Sequence, residues 1–455
     1  MTTVFDPNAL HRTAKYFMDS GRARTHCAAM EMLQGYGLSV IVGGEIARSA
    51  DHQTALLTLV NTARRTFLAG IGVVGLPDTP CLSALSPNRT LRVAVEQLGG
   101  RCATECNAPW PSAIIGSVEQ VPTSPCWRLT WEGWRGGVVP AADHLQLSES
   151  NCIPLAPAIA AAACAAEAFS FFAGDHVMAG RREFGMSLWR PGHDWLVADT
   201  TEPSLAYLPS RLWLIGLGNL GQAFAWLLGT LPYPRAGEVE LVLQDFDVVG
   251  PSNDSTSLLS HLQDVGRKKT RMVAEWLEER GFKTVLDEHR FSASTRRGDD
   301  DPAVALFGVD NANARIVLDR ASFGLVVEAG LGAGPQAFRS VAMHTFPGSR
   351  TPSSIWTRHL ADDVQSPKSM PAYQAMKDTG LDECGLTRLA SRSVGVPFVG
   401  LIAGCVVLSE LLRRLHGGTA LEQLSTSALA LADVETVAAP AEPYAFGHVP
   451  VTTKT

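Results

Sequence analysis

Three glycines have a spacing that suits phosphate binding. They are Gly216, Gly218 and Gly221, and an apolar run, Arg211 to Ile215, precedes them. The run predicts a strand and the residues after the glycines predict a helix, so the glycines lie in the connecting turn. Glycine lets the backbone approach a phosphate, and the free N–H groups of a helix N-terminus attract anions. The motif alone would suit a dinucleotide-binding enzyme equally well.

Carboxylates end the next two predicted strands. Asp245 and Asp247 follow one apolar run, and Asp310 follows another. An acid in the first position can hold ribose hydroxyls, although Asp245 lies 29 residues beyond Gly216, further than the roughly 20 of dinucleotide enzymes. Asp310 can coordinate Mg²⁺ that bridges phosphates, or it can cap the next helix, or both.

A lysine opens the helix predicted after Asp247. Lys269 precedes Met272 and Val273 by three and four residues, so it shares their inward face, whereas Lys268 lies off that face. An inward lysine near strand ends is placed to meet phosphate oxygens. The alternative is a surface lysine whose stem lies along the protein.

The order and spacing of these residues resemble the ThiF/MoeB and ubiquitin-activating superfamily over roughly residues 211–331. The matching motifs are Gly216-x-Gly218-x-x-Gly221, Asp245-x-Asp247, Ser252-Asn253, Gly266-x-x-Lys269 and Asp310-Asn311-x-x-x-Arg315. The helix expected at 397–415 is similar to that family's closing helix.

The resemblance implies an ATP site with divided roles. It assigns Asp245, with Asp247 beside it, to the ribose, Asn253 and Lys269 to the phosphates, and Asp310 to Mg²⁺. In this family the carboxyl end of a ubiquitin-like protein attacks the α-phosphate of ATP and yields an acyl-adenylate and pyrophosphate. Such chemistry needs positioning and positive charge more than covalent help.

The sequence departs from the family at one phosphate contact. Relatives usually carry an arginine three residues after the asparagine, where this chain has Thr256. The contact is then missing or supplied elsewhere, for example by Arg267 or Arg271. The family also borrows an arginine from the partner half, and the candidates in the N-terminal segment are Arg12, Arg22 and Arg24. The zinc-binding cysteine pairs of the sulfur-transfer branch are absent.

Cys384 is the candidate nucleophile. It lies in Leu381-Asp-Glu-Cys-Gly-Leu, within the polar and irregular stretch Phe346–Arg392, where this family's thioester or sulfur-carrier cysteine lies. A loop cysteine that is partly exposed can ionise and attack an acyl-adenylate. The two preceding carboxylates disfavour the thiolate, so an incidental cysteine is the alternative. Cys405, in an apolar helix, is expected in the core.

The elements that position these residues alternate between strand and helix, which predicts a parallel doubly wound sheet. In the second half the strands are expected at 212–216, 239–245, 304–310 and 325–330, and the helices at 220–228, 268–280 and 312–323. In the first half strands are expected at 38–43, 66–74 and 112–116, with a β excursion at 127–139. The first half has no Gly-x-Gly-x-x-Gly motif.

A faint duplication links the halves. Pro154–Glu167 aligns without gaps on Pro397–Glu410, with chance identity between small-residue helices as the alternative. We therefore predict an α/β fold in which a doubly wound, Rossmann-like adenylation domain follows a degenerate second copy, as a monomeric pseudo-dimer. The domains are an inactive one at 1–190, a linker at 191–209, an active one at 210–436 with a cysteine-bearing crossover at about 346–393, and a flexible tail at 437–455.

Bulk properties exclude several classes of protein. The net charge of -7 gives no electrostatic reason to expect nucleic acid or an anionic membrane as partner. The apolar stretch Ile153–Phe172 is long enough to span a membrane, but its alanines and Glu167 favour a buried helix. The first residues show no secretion signal. Nine cysteines without a C-x-x-C pair indicate reduced thiols in a cytoplasm and argue against structural zinc.

The sequence thus predicts an ATP-Mg²⁺-dependent enzyme that adenylates the C-terminal tail of a ubiquitin-like protein, forms a thioester on Cys384 and passes it to a conjugating enzyme. Its size resembles bacterial versions encoded with such partners, of which Bil-type antiphage systems are one group. One alternative is adenylation of a peptide or sulfur carrier without a thioester step. Others are an NAD-dependent oxidoreductase and a scaffold with a dead site.

Overall fold

The computed structural model describes residues 6–122, 125–143, 145–359, 367–440 and 442–451. In the first half the strands are β1 (Gly37–Val42), β2 (Gly70–Val74), β3 (Gly100–Ala103), β4 (Ser112–Ile115), β5 (Cys126–Glu132), β6 (Arg135–Pro140) and β7 (Phe184–Ser187). The helices of this half are α1 (Ala14–Asp19), α2 (His26–Gln34), α3 (Ala50–Ala63), α4 (Leu91–Gln97) and α5 (Leu155–Ala173).

The second half repeats the alternation. Its strands are β8 (Tyr207–Pro209), β9 (Arg211–Ile215), β10 (Glu240–Gln244), β11 (Lys283–Asp287), β12 (Val304–Phe307), β13 (Leu325–Leu331), β14 (Ser340–Phe346), β15 (Leu421–Ser427), β16 (Ala430–Ala438) and β17 (His448–Pro450). Its helices are α6 (Asn219–Leu228), α7 (Lys269–Glu278), α8 (Ala312–Ile316), α9 (Gly334–Ala337), α10 (Pro352–His359), α11 (Pro371–Asp378), α12 (Glu383–Ala390) and α13 (Pro397–Leu415).

Each half builds a sheet with the same strand order. The first sheet runs β3-β2-β1-β4-β5-β6-β7 and the second β11-β10-β9-β12-β13-β14-β15-β16, so the second differs only by one added strand at its end. In both sheets the first five strands in this spatial order are parallel to one another. Each strand after the fifth pairs antiparallel with the strand before it. The predicted fold class, a doubly wound domain with a degenerate second copy, is confirmed.

Two long helices join the halves. α5 and α13, which carry the aligned segments, pack against each other, with α3 on α5 and α6 on α13. Glu167 and Glu410 are both fully buried, and each pairs with arginine, Glu167 with Arg182 at 2.8 Å and Glu410 with Arg414 at 2.6 Å. Of the helices in the described ranges, α5 alone is long and apolar enough to cross a membrane, and 89% of that stretch is buried inside the protein.

The stretch Phe346–Arg392 differs from the prediction. It contains the short helices α10, α11 and α12, so the prediction of an irregular loop is wrong; residues 360–366 of it lie outside the described ranges. Its many polar residues are the exposed faces of short amphipathic helices, since Tyr373 and Leu389, for example, are fully buried.

The predicted linker and tail meet. β17, within the expected tail, pairs antiparallel with β8, within the expected linker, and Val449 lies opposite Leu208. The ring of Phe446 packs closely on Gly324, because a Cβ built on Gly324 would lie 2.4 Å from Cε1 of that ring. The expectation of a loose tail is therefore corrected for residues 442–451, whereas residues 441 and 452–455 lie outside the described ranges.

Candidate functional site

The glycine turn lies between β9 and α6, and its three glycines meet different surroundings. Gly216 has a φ of 83°, a conformation that favours glycine. A Cβ on Gly221 would lie 1.9 Å from the carbonyl oxygen of Gly216, so only glycine allows the helix to start this close to the turn. A Cβ on Gly218 would meet nothing within 4 Å. Gly218 therefore borders open space at the N-terminus of α6, where N–H groups lack helical partners.

Asp245 connects the ends of β9 and β10. Its carboxylate is buried and accepts hydrogen bonds from the N–H of Leu217, at 2.7 Å, and from that of Asp247, at 2.8 Å. A carboxylate has about four acceptor positions, so two backbone bonds leave capacity for hydroxyl groups. Asp245 thus stabilises the glycine turn and can also face a ligand.

Lys269 lies beside both carboxylates at the end of β10. Its Nζ is 3.1 Å from Asp247 and 4.0 Å from Asp245, and its side chain is only 10% exposed. It is therefore not a surface lysine. Lys268 points elsewhere and donates to the carbonyl oxygen of Phe246 at 2.7 Å. A buried ammonium held by two carboxylates is a cation ready to meet phosphate oxygens.

Asn253 lies in a one-turn 3-10 helix, Pro251–Ser255. Its Oδ1 accepts from the N–H of Gly250 at 2.8 Å. Within the described part of the chain its Nδ2 forms no hydrogen bond, so this donor can still meet a ligand. The orientation of the side chain is thus set by the backbone.

Asp310 follows β12 and is exposed. The N-cap of α8 is Asn311, whose side chain accepts from the N–H of Asn313 at 2.9 Å, so the interpretation of Asp310 as the helix cap is wrong. Behind Asp310, the buried Arg315 donates to the carbonyl oxygen of Val309 at 2.9 Å. Among the described residues the carboxylate of Asp310 has no hydrogen-bond partner, and the contact of Arg315 supports the backbone before it.

A buried network holds Arg315 in turn. Glu328, on β13, is fully buried and lies 3.1 Å from Arg315 and 3.0 Å from the Nδ1 of His344. Neither Glu328 nor His344 was predicted from the sequence. A lone glutamate inside the apolar run of β13 was the available signal, since a buried carboxylate requires a partner.

The first half contributes a second group that the sequence analysis missed. Arg65, just after α3, is 1% exposed and donates to the carbonyl oxygens of Asp254, Leu258 and Ser260 at 2.6, 2.7 and 2.9 Å. Gln222, on α6, donates to the carbonyl oxygen of Leu217 at 3.0 Å. Arg65 thus fixes the segment after Asn253, and Gln222 fixes the glycine turn.

The N-terminal segment places one of its arginines at the site. Arg12 donates from Nε to the carbonyl oxygen of Ser393 at 2.7 Å, and its N–H donates to Ser255 at 3.1 Å. Burial, and after it the positive charge of Arg392, lowers the pKa of Arg12 to about 10, while the carboxylate of Asp310 raises it. Arg12 therefore lies within electrostatic reach of Asp310.

The other candidate arginines are engaged elsewhere. Arg22 donates to the carbonyl oxygen of Ala173 and lies over the ring of Tyr16, and Arg24 is exposed. Arg267 pairs with Asp264 at 2.8 Å, and Arg271 pairs with Glu288 at 2.9 Å. Arg12 is thus linked electrostatically to Asp310, whereas Arg22, Arg267 and Arg271 have other partners.

Cys384 lies in the first turn of α12 and is exposed. Of the two carboxylates before it, Asp382 caps the helix by accepting from the N–H of Gly385 at 2.7 Å, and Glu383 pairs with Lys368 at 3.2 Å. The charge of Asp382 is thus offset by the helix end that it caps, and that of Glu383 by a cation. Cys405 is fully buried, as predicted, and all nine cysteines are free thiols.

Family models match most of the chain. The model of the BilD N-terminal domain matches residues 37–188, and that of the BilD C-terminal domain matches residues 208–418. The bacterial E1-like protein BilD of Collimonas sp. (strain OK412) is 58% identical over 449 residues, which are 98% of this chain and 97% of that protein.

Solved structures are more distant. The chain resembles Escherichia coli MccB with bound ATP at 10% identity and a TM-score of 0.34, over 50% of this chain and 64% of MccB. It resembles PaaA at 14% identity and a TM-score of 0.34, over 50% of this chain and 63% of PaaA. Likenesses this weak carry no argument about function. The identity to BilD and the two domain matches, by contrast, show the family. The chain belongs to the BilD family of bacterial E1-like proteins.

Proposed function

We propose that the protein uses ATP and Mg²⁺ to adenylate the C-terminal carboxylate of a ubiquitin-like protein, takes the acyl group onto Cys384 as a thioester, and passes it to a conjugating enzyme. One observation carries the proposal. The open space at Gly218 follows β9. Lys269 lies beside Asp247 after the neighbouring strand β10, Asp310 follows β12 on the other side, and Arg12 lies within electrostatic reach of Asp310. Ligands of doubly wound sheets bind at this edge.

The residues present fit the proposed nucleotide. Gly218 leaves room for phosphate oxygens next to the N-terminus of α6. Asp245 would accept from the ribose, and Asn253 and Lys269 would donate to the phosphates. Asp310 would hold Mg²⁺, which is commonly bound through one or two carboxylates together with substrate phosphates. When bound, the ion offsets negative charge on those phosphates.

Adenylation requires positioning and positive charge. The carboxylate oxygen of the substrate attacks the α-phosphorus, the bond from that phosphorus to the bridging oxygen breaks, and pyrophosphate leaves with the bonding electrons. Lys269 and Arg12 stabilise the charge that develops on the departing group. Arg12 then has the role of the arginine that the family borrows from the partner half, here supplied within one chain.

Thioester formation would follow on Cys384. Its thiol loses a proton to solvent, the sulfur attacks the acyl carbon, and AMP leaves as the carbon–oxygen bond breaks. The thiolate of a cysteine of the conjugating enzyme then attacks the same carbon, the bond from that carbon to Sγ of Cys384 breaks, and Cys384 leaves as a thiolate that takes up a proton from solvent. The exposure of Cys384 and its place in a helix first turn support this role.

The first half is proposed to be inactive because a carboxylate stands at the carboxyl end of β1. After β1 the chain enters a 3-10 turn, Gly44–Ala47. The carboxylate of Glu45 accepts from the N–H of Ser117 at 3.1 Å, and it lies 2.7 Å from where Cβ atoms on Gly43 and Gly116 would be. This negative charge sits between the ends of β1 and β4, the place that corresponds to the open space at Gly218, and it repels phosphate.

The two steps are tested separately. We expect exchange of labelled pyrophosphate into ATP when a candidate ubiquitin-like protein is added, and a reductant-sensitive adduct of the two proteins. Cys384→Ala should keep the exchange and lose the adduct, whereas Cys27→Ala, at another exposed cysteine, should keep both. An adduct that survives Cys384→Ala would contradict the thioester role and leave adenylation without it as the function.

A further inference from the structure

The surroundings of Thr256 explain why no arginine stands there. Thr256 is buried, and its Cγ2 lies 2.8 Å from where a Cβ on Gly395 would be, with the Cβ of Arg12 3.4 Å from the same point. Three chain segments therefore meet at this residue: the turn after Asn253, the N-terminal segment and the approach to α13. A long side chain at 256 would have to displace backbone.

Arg392 belongs to one of those segments. It lies next to Ser393, whose carbonyl oxygen accepts from Nε of Arg12 at 2.7 Å, and three residues before Gly395. Its side chain is exposed. Among the described residues its side chain forms one hydrogen bond, from Nη2 to Oδ1 of Asn8 at 3.4 Å, and no ion pair. Such a long bond to a neutral acceptor leaves the guanidinium able to reorient.

The charged groups that act on Arg12 include a second guanidinium, that of Arg392. The positive charge of Arg392 acts unfavourably on Arg12, and Asp310 acts favourably on it. Asp19, which also acts on Arg12, is already paired with Lys15 at 2.5 Å. The guanidiniums of Arg12 and Arg392 thus repel each other, and an anion placed between them would offset that repulsion.

We propose that Arg392 binds the β- and γ-phosphate oxygens of ATP beside Arg12 and supplies the phosphate contact that Thr256 lacks. Guanidinium suits this role because its planar donors match phosphate oxygens in pairs. The inference rests on the proposed adenylation. It adds that the cation comes from the crossover segment of the active half, eight residues beyond Cys384.

The test uses the full chain with Arg392→Gln and Arg392→Lys. Arg388→Gln is the matched control, because Arg388 is an exposed arginine of the same segment. We measure affinity for AMPCPP with Mg²⁺, affinity for AMP, and KM for ATP and pyrophosphate in the exchange reaction. Arg392→Gln should lower the affinity for AMPCPP and raise both KM values, each about tenfold, which is the effect of one charged contact. The affinity for AMP should be unchanged. Arg392→Lys should lose less affinity for AMPCPP than Arg392→Gln does, and Arg388→Gln should lose none.

Three results would overturn the inference. AMPCPP affinity in Arg392→Gln equal to that of the wild type would show that Arg392 makes no phosphate contact. An equal loss of AMP affinity, or a lowered melting temperature, would show a structural role. A folded wild-type chain that binds no AMPCPP would overturn this inference together with the proposed function, whereas the first two results would leave adenylation intact.

Discussion

Gly218 and Gly221 are both part of the glycine turn, yet the structure predicts opposite consequences for replacing them with alanine. The new methyl of Gly221→Ala would lie 1.9 Å from the carbonyl oxygen of Gly216, so the turn must shift. Overpacking of this kind costs about 1–3 kcal/mol of folding free energy. The methyl of Gly218→Ala enters open space, because a Cβ there would meet nothing within 4 Å. Its effect on the unliganded protein should be below about 1 kcal/mol.

In the presence of ATP, Gly218→Ala is expected to have a large effect as well, because it acts on ligand binding. If a phosphate occupies the space at Gly218, the added methyl should weaken ATP binding about ten- to a hundredfold, or about 1.4–2.8 kcal/mol. A ligand at a hundred times its Kd stabilises a protein by about 2.7 kcal/mol, and in Gly218→Ala this should fall to about 0.4–1.4 kcal/mol.

Thermal denaturation with and without AMPCPP and Mg²⁺ measures both effects. Gly221→Ala should melt lower without ligand. Gly218→Ala should melt as the wild type does without ligand and lose about half or more of the ligand-induced shift. The full shift in Gly218→Ala would refute the placement of phosphate at this residue, and a wild-type melting temperature in Gly221→Ala would refute the close approach of turn and helix.

Two further predictions concern the N-terminal segment that carries Arg12. Asp19→Ala removes the carboxylate that pairs with the fully buried Lys15, which also donates to Tyr373 at 2.7 Å, so we expect a loss of about 3–5 kcal/mol in urea denaturation. Near-normal stability in that variant, or no recovery in Asp19→Leu combined with Lys15→Met, would contradict the ion pair's role. Burial lowers the pKa of His11 from 6.5 to about 4. The unfolded chain therefore takes up a proton that the folded chain does not, and stability should fall by about 2 kcal/mol between about pH 7.5 and about pH 5. His11→Gln should reduce that fall, and an unchanged pH dependence in this variant would refute the assignment.

The strands and helices around the glycine turn were predictable because their signals are local. β9, β10 and β12 are apolar runs of parallel strands covered on both faces, and α7 has a clear inward stripe. β11 was missed because it is a half-exposed edge strand, with Val285 50% exposed, and so lacks such a run.

The contacts between the halves were not predictable in the same way. Arg65 bonds to residues almost two hundred positions away, and no local pattern distinguishes it from its neighbour Arg64, whose side chain is 17% exposed. The sequence suggested three arginines as the borrowed one, and only the packing of the N-terminal segment against Ser255 and Ser393 singles out Arg12. The pairing of β17 with β8 depends likewise on distant residues.

The central claim is that the crevice at Gly218 activates a carboxylate with ATP. The most direct measurement is pyrophosphate exchange into ATP by the full chain, with candidate ubiquitin-like proteins supplied as the substrate. We predict exchange that requires both Mg²⁺ and an intact substrate carboxyl terminus and that is lost in Asp310→Ala. A folded wild-type chain without exchange, or an Asp310→Ala variant that exchanges at the wild-type rate, would contradict the account.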